Sequence, residues 1–147
     1  MKKEILAYIA GLFDGEGSIY ISLRNNRPKS RSPEYSLRVS FVNTNEEVVH
    51  LIKDNFGGSI LSRFREPDKK RKLTWDWAVS YIKAKDFLKA VYPYLIIKKK
   101  QAELGIKFQE QSVRIRNNRK RLTLKELTRR EFYKKEISKL NQGVDIK

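Results

Sequence analysis

Residues 5–17, which read I-L-A-Y-I-A-G-L-F-D-G-E-G, constrain the fold of this chain more than any other stretch. Bulky apolar residues recur there at helical spacing, at Ile5, Ile9, Leu12 and Phe13. A second helical face carries only small or short side chains, at Ala7, Ala10, Gly11 and Asp14. The bulky face predicts packing on the chain's own core, and the small face predicts close approach by another helix. Asp14-Gly15 predicts the end of the helix, because glycine tolerates the left-handed conformation that ends many helices.

Glu16 follows this predicted helix end, where the helix macrodipole disfavours a carboxylate by about 0.3–1 kcal/mol. Helix stability therefore gives no reason for an acidic residue here. A hard divalent cation such as magnesium or calcium does give one, because it binds carboxylate oxygens and freed backbone carbonyls. The alternative is an acidic side chain in a solvated turn.

The segments that follow alternate between strand and helix patterns. Apolar residues at every second position predict strands over residues 18–24, 35–43, 60–65 and 73–81, the last with Leu73, Trp75, Trp77, Val79 and Tyr81 on its buried face. Thr44 with Glu47 has the form of a capping box and predicts a helix that Gly57-Gly58 ends. Helices are also predicted over residues 83–92, 96–111 and about 123–140, with Ile97, Leu104 and Phe108 of the second one facing inward.

This order predicts an α+β fold of αββαββα type, with a four-stranded antiparallel sheet, helices on one of its faces and further C-terminal helices. Residues 1–147 are expected to form a single domain with a core over about 5–111 and a basic helical extension over 112–147. That extension begins with a very basic run, residues 114–121. Its last helix is either a docking helix or an additional phosphate clamp, and the sequence leaves both possibilities open.

The uncovered face of the predicted sheet is rich in cations and hydrogen-bonding side chains. The strand residues on it are Arg24, Arg38, Ser40, Arg63, Arg65, Lys72 and Thr74, and the hairpin loops add Arg27, Lys29, Arg31 and Lys70. The chain as a whole carries 33 Lys and Arg against 17 Asp and Glu, a net charge of +16 that suits a polyanionic partner. A solvated face would normally mix charge signs, and here Asp76 is almost the only acid, so a nucleic acid is favoured.

The cellular compartment of the protein is inferred only from features that the sequence lacks. The chain has no cysteine, which excludes a disulfide framework and thiolate metal sites. Glu4 interrupts the basic start, D-G-E-G replaces a signal cleavage site, and no run reaches the roughly 18 apolar residues of a membrane span. We expect a soluble, intracellular protein, in a prokaryotic cytoplasm or an organelle matrix, with no membrane partner.

The string I-A-G-L-F-D-G-E-G at residues 9–17 resembles the signature of the LAGLIDADG homing endonucleases. This resemblance implies that Glu16 is the acidic ligand of a magnesium ion and that the carbonyl of Gly15 adds an oxygen. Calcium is expected to support DNA binding without efficient cleavage. One motif per chain implies a homodimer paired through the motif helices, with Ala7, Ala10, Gly11 and Asp14 at the interface.

A second resemblance lies at residues 93–101, P-Y-L-I-I-K-K-K-Q, where family members place an active-site lysine. Lys98 occupies the matching position and could stabilise negative charge developing on a phosphate. The alternatives for Lys98 are a simple phosphate contact or a solvated cation. Asn45 matches a polar residue that the family uses near the metals, and the competing interpretation for this stretch is helix capping.

The predicted function is therefore that of an intron-encoded homing endonuclease. It would hydrolyse one phosphodiester in each strand of a long, pseudo-palindromic double-stranded DNA site, with a divalent metal. One alternative is a protein of the same fold that acts as an RNA maturase on intron RNA or as a non-cleaving DNA-binding regulator. Another is a basic structural RNA-binding protein, which would leave the two-faced helix unexplained.

Overall fold

The computed structural model describes residues 1–25, 32–63, 73–113 and 121–143, without the side chain of Val113. Its helices and strands in chain order are α1 Lys3–Glu16, β1 Gly17–Arg24, β2 Glu34–Asn43, α2 Glu46–Phe56, β3 Ser59–Arg63, β4 Thr74–Ser80, α3 Tyr81–Val91, a short 3-10 turn Tyr92–Tyr94, α4 Lys99–Val113 and α5 Leu124–Asn141. None of these helices is both long enough and apolar enough to cross a membrane.

The strands form one antiparallel sheet in the order β1-β2-β4-β3. Each hairpin contributes two neighbouring strands, and β2 joins the hairpins by pairing Phe41 with Trp77 of β4. The predicted α+β fold with its four-stranded antiparallel sheet is confirmed. Alternation explains the pairing, because a shift of one residue would turn each strand's apolar side chains to the wrong face.

The core lies between the inner face of the sheet and the helices. Phe87 of α3 is fully buried at its centre, with ring centroids 5.0 Å from Phe13, 4.8 Å from Phe56 and 5.0 Å from Trp77. Ile9 of α1 is buried in the same core cluster. The bulky face of the first helix therefore packs as predicted, and α1 is tied to the centre of the fold through Phe13.

The predicted stop at Gly15 is wrong, because α1 continues through Glu16 and the chain leaves the helix at Gly17. Gly17 has an extended backbone, φ −79° and ψ 161°, so no left-handed glycine ends this helix. Glycine is required there for space, since a Cβ on Gly17 would lie 2.1 Å from Cδ2 of the Phe13 ring. Glycine at this position therefore lets the chain pass close to the buried Phe13 ring as it leaves α1 for β1.

The cap of α2 also differs from the prediction by one residue. Asn45 rather than Thr44 is the N-cap, and its Oδ1 accepts from the Val48 amide at 3.2 Å. The predicted glycine stop is confirmed, because Gly57 and Gly58 have φ of +70° and +95°.

Two residues predicted to be in the core are exposed. Tyr81 begins α3 with φ +55° and is 44 % exposed, with its hydroxyl donating to the Glu34 carboxylate, because β4 ends at Ser80. Ile97 is 70 % exposed because α4 begins only at Lys99. Phe108 of α4 is fully buried as predicted, whereas Leu104 is partly buried against the core.

The last helix, α5, docks on the same core. Ile137 is fully buried, and the Asn141 amide donates to the Ile19 carbonyl of β1 at 2.8 Å. The Tyr35 hydroxyl donates to Oε2 of Glu131 at 2.8 Å, and burial together with this bond raises the pKa of Tyr35 to about 12. Of the two possibilities left open for this helix, the contacts favour docking.

Candidate active site

Glu16 lies at the junction of α1 and β1, where the sequence analysis expected functional chemistry. As the last residue of α1 it sits at the negative end of the helix dipole. Its Oε2 accepts from Nδ2 of Asn43, the last residue of β2, at 2.6 Å. Asn43 is itself held, because its Oδ1 accepts from the Asn45 amide at 2.8 Å. The carboxylate is therefore oriented by the end of the neighbouring strand.

Lys98 reaches the last turn of the same helix. Its Nζ donates to the carbonyl of Asp14 at 2.5 Å. The Asp14 carboxylate accepts from the backbone amides of Ile96 at 2.7 Å and Lys98 at 3.0 Å. The fold thus brings the predicted lysine and the predicted acid to one helix end, although they lie more than 80 positions apart in the chain.

Asn45 makes the helix cap that was its competing interpretation, and its role near a metal stays a prediction. Its side chain caps α2, and its backbone amide supports Asn43. The residue whose side chain contacts Glu16 is Asn43, which the sequence analysis did not select. The only available signal was a polar residue at the end of an alternating strand, and that signal does not reveal a partner 27 positions earlier.

The oxygen atoms at this helix end fit a hard divalent cation. The donors are the Glu16 carboxylate and the last carbonyls of α1, including that of Gly15, which an α-helix leaves without intrahelical partners. No cluster of three or more His, Cys, Asp or Glu side chains occurs among the described residues. Among these donors, the described residues of one chain therefore supply only one side-chain carboxylate, together with backbone carbonyls.

The uncovered face of the sheet begins beside Glu16 and carries the predicted polar and cationic side chains. The register places Arg63 opposite Thr74 at the end near Asn43, Ser40 in the middle, Arg38 opposite Ser80, and Arg24 opposite Glu34 at the far end. Arg65, Lys72, Lys70 and the loop cations Arg27, Lys29 and Arg31 lie outside the described residues.

The described part of this face mixes charge signs more than expected. Arg63 Nη2 lies 3.5 Å from Oδ2 of Asp76, and Glu34 faces Arg24. Three exposed apolar side chains also lie on it, those of Tyr20, Val42 and Leu61. A face of this composition can hold arginine side chains in defined positions and offers both polar and apolar contacts to a bound surface.

The small-residue face of α1 is divided by the fold. Ala10 is fully buried and Asp14 is 7 % exposed, so both belong to the chain's own interior. Ala7 and Gly11 are exposed, together with Gly15 one turn further on. A Cβ placed on Gly11 or Gly15 would meet no atom within 4 Å, so the helix backbone is open to approach along this line.

Comparison with known proteins finds a match to the sequence profile of the family described as LAGLIDADG endonuclease, over residues 9–106. The chain is 31 % identical over 112 residues to DNA endonuclease I-CreI of Chlamydomonas reinhardtii. The aligned region covers 74 % of this chain and 64 % of that protein. This chain thus spans less than two thirds of that relative.

Solved structures of similar fold include two DNA complexes. One is the archaeal intron-encoded homing endonuclease I-Vdi141I with DNA, at a TM-score of 0.73 and 23 % identity over 95 % of this chain and 91 % of that chain. The other is homing endonuclease I-CvuI with its target in the presence of calcium, at a TM-score of 0.72 and 16 % identity over 92 % of this chain and 80 % of that chain.

Proposed function

Since this chain belongs to the LAGLIDADG endonuclease family, we propose that it is a site-specific double-strand DNA endonuclease. It works as a homodimer with magnesium and hydrolyses one phosphodiester bond in each strand of a long, pseudo-palindromic site. The observation that carries this proposal is the Glu16 carboxylate, held by Asn43 at the edge of a sheet face that presents arginines. The relatives described as DNA complexes support the choice of double-stranded DNA.

The sheet face is the proposed DNA-binding surface. A curved two-stranded ribbon can enter the major groove of DNA. Arginine side chains on it can neutralise phosphates or form paired hydrogen bonds with guanine. Arg24, Arg38 and Arg63 span the length of the face, with Ser40 between Arg38 and Arg63 and Thr74 opposite Arg63. Binding along this face would bring a phosphate of the backbone to Glu16 at its end.

Glu16 and the Gly15 carbonyl are the proposed metal ligands. A divalent cation bound there would stabilise negative charge on the oxygens of the scissile phosphate. Asn43 keeps the carboxylate in one orientation through the 2.6 Å bond to Oε2. This fixed orientation favours catalysis because no further entropy is lost in ordering the carboxylate when the substrate binds.

Lys98 is proposed to stabilise the phosphate during hydrolysis. A lysine ammonium has three donors, and the bond from Nζ to the Asp14 carbonyl uses one of them. The other two can donate to a phosphate oxygen and to the attacking water. Such a preorganised donor is worth most where charge develops in the transition state.

The single acidic ligand of one chain and the open face of α1 support the proposed homodimer. One chain supplies one such acid, whereas cutting two strands requires two. A second copy approaching along Ala7, Gly11 and Gly15 would place both Glu16 residues close to a two-fold axis, and that symmetry would be mirrored in the DNA site. Tyr8, 52 % exposed beside this line, would be covered by the partner helix.

The direct test is to incubate purified protein with a randomised duplex library and magnesium, and to sequence the ends produced. We expect one break in each strand at a long, roughly palindromic sequence, leaving either staggered or blunt ends. Enrichment of bound but uncut duplex would instead support a regulator. Binding to structured intron RNA without DNA cleavage would support a maturase.

A further inference from the structure

Asp14 is a buried acidic residue that the proposed mechanism does not use. It is 7 % exposed, and both oxygens of its carboxylate accept backbone amides from a distant segment, Oδ2 from Ile96 at 2.7 Å and Oδ1 from Lys98 at 3.0 Å. Its own carbonyl accepts from Lys98 Nζ. Three hydrogen bonds therefore connect one residue of α1 to residues 96–98.

The start of α4 explains why such an anchor is needed. Lys98, Lys99 and Lys100 stand together at its N-terminal end, where the helix dipole disfavours positive charge. The neighbouring Ile96 and Ile97 are 85 % and 70 % exposed, so apolar burial of their side chains contributes little to holding this segment in place. The Asp14 carboxylate supplies negative charge and two acceptors at this end.

We propose that Asp14 is a positioning residue for Lys98. Asp14 and Glu16 lie two positions apart in the last turn of α1, so whatever is fixed to Asp14 is fixed relative to Glu16. The two amide bonds hold the Lys98 backbone, and the carbonyl holds its ammonium, so that the lysine and the acid keep one mutual geometry. This inference rests on the proposed function, because it assigns Asp14 to act through Lys98.

A double-mutant cycle with Asp14→Asn and Lys98→Met tests this role. Asparagine keeps the size of the side chain but places an amide donor against one of the two N–H groups, and methionine keeps the apolar stem of lysine. Single-turnover cleavage of the cognate duplex in magnesium reports chemistry, and duplex affinity in calcium reports binding. A misplaced catalytic group costs about 100-fold in rate, so Asp14→Asn should slow cleavage by about 10- to 100-fold.

The effects of the two substitutions on the cleavage rate should not be additive. In the Lys98→Met background, Asp14→Asn should change the rate by less than about threefold, because its effect passes through the missing ammonium. Asp14→Asn alone should leave duplex affinity in calcium within about threefold of the wild type. Thr123→Ala is the matched control, since it removes another side-chain bond to a helix amide, at Glu126, far from Lys98 in the chain; it should lower the melting temperature without slowing cleavage.

Multiplying losses in the double variant would overturn the proposal, as would an Asp14→Asn rate equal to that of the wild type. If Asp14→Asn does not fold, Asp14→Ser takes its place in the cycle, and failure of both to fold would assign the carboxylate to stability alone and reject the positioning role. Failure of the proposed function is recognised separately: the wild type would then cut no duplex, or Lys98→Met would cut as fast as the wild type.

Discussion

At the scale of single residues, the two oxygens of the Glu16 carboxylate have different surroundings. Oε2 is bound by Asn43, whereas Oε1 has no hydrogen bond within the described part of the chain. The carboxylate ends a helix whose last turn contains no basic residue, so nothing in that turn neutralises it. An oriented but uncompensated carboxylate is the arrangement that a cation would stabilise.

Glu16→Gln tests that charge at constant shape. The glutamine can still accept from Asn43, so dimerisation and duplex affinity in calcium should stay within about threefold of the wild type. Cleavage in magnesium should fall by more than about a hundredfold, the scale of loss when one electrostatic stabiliser is removed. Glu47→Gln, which removes an exposed acid from α2, is the control and should cleave normally. Cutting of both strands by Glu16→Gln at close to the wild-type rate would refute the metal-ligand assignment.

At the scale of elements, α1 serves two different neighbours. Its buried side is committed to the core through Ile9, Ala10 and Phe13, and its open side runs along Ala7, Gly11 and Gly15. Glycine costs about 0.5–1 kcal/mol relative to alanine within a helix. Gly11 and Gly15, which face open space, therefore lower the stability of the isolated helix. Close approach by a partner helix would explain why glycine is present at both positions.

Gly11→Leu should weaken the dimer and leave the fold of one chain intact. The open space around Gly11 accommodates the side chain within the monomer, whereas overpacking a close helix pair costs about 1–3 kcal/mol. Sedimentation across a concentration series measures the shift, about 5- to 150-fold in the dimer dissociation constant. Ser138→Leu, a leucine at an exposed position of α5, is the control. An unchanged dimer for Gly11→Leu, or a monomeric wild type at micromolar concentration, would remove this interface.

Glu126 of α5 pairs with an arginine that bridges α5 to α4. Glu126 pairs with Arg129 and with Arg130 Nε at 2.8 Å, and Arg129 also donates to Gln111 of α4 at 2.7 Å. Burial raises the pKa of Glu126, but the hydrogen bonds from Arg129 and Arg130 outweigh it and hold that pKa below its usual value of 4.5. The carboxylate form therefore favours the folded state.

Stability should accordingly fall in acid. As pH drops below about 4.5, the unfolded chain takes up the Glu126 proton before the folded chain does, so the free energy of unfolding decreases. Glu126→Gln should cost about 1.5–3 kcal/mol at pH 7 and should reduce this acid dependence. Urea unfolding of both proteins at several pH values gives the comparison. Parallel stability curves for the two proteins would show that the junction does not depend on this charge.

At the scale of the whole molecule, the net charge of +16 is distributed over the chain rather than confined to a tail. The helices cover one face of the sheet, so the arginines of the other face remain available to a duplex. Each phosphate that the protein neutralises releases counterions, which makes binding depend on salt. The strength of that dependence reports how many phosphates are contacted.

Duplex binding should therefore weaken steeply with salt. With roughly 6–10 phosphate contacts, affinity should fall by about 10³- to 10⁵-fold between about 50 and 200 mM salt. Arg38→Ala or Arg63→Ala should change the preferred sequence if the side chain reads bases, and should reduce the salt slope by about one if it contacts a phosphate. Lys53→Ala, on the helical side of the molecule, should change neither. A nearly flat titration would contradict binding through the sheet face.

The regular parts of this fold could be predicted from the sequence, and the exceptions have physical causes. Period-two alternation identified the strands because each has one apolar face, and helical periodicity identified α1. The end of α1 was missed because glycine is needed at position 17 for space beside the Phe13 ring, and not at position 15 for a left-handed turn. Ile97, Leu104 and Phe108 have the spacing of one helix, but α4 begins only at Lys99, and the Asp14 carboxylate, more than 80 positions earlier, accepts the amides of Ile96 and Lys98.

The candidate site was predictable in part for the same reason. Glu16 and Lys98 belong to local patterns that a sequence displays. Asn43 does not, because its contact with Glu16 exists only once β1 and β2 pair in register and the end of one strand meets the start of the other. Contacts of this kind are properties of the sheet rather than of any segment.

The direct passage from α1 into β1 at residues 16 and 17 has a mechanical consequence. No loop separates Glu16 from the first strand of the sheet, so the proposed metal ligand and the proposed DNA-binding face are joined by one peptide unit. The position of the sheet face relative to the Glu16 carboxylate is therefore fixed by this direct connection. Under the proposed function, a change of side chain on the sheet would alter which sequence is bound but not where the cut falls, whereas a single residue inserted after Glu16 would shift the cut relative to the bound sequence. Protein engineers who seek new target sequences should therefore vary the strands and leave this joint untouched.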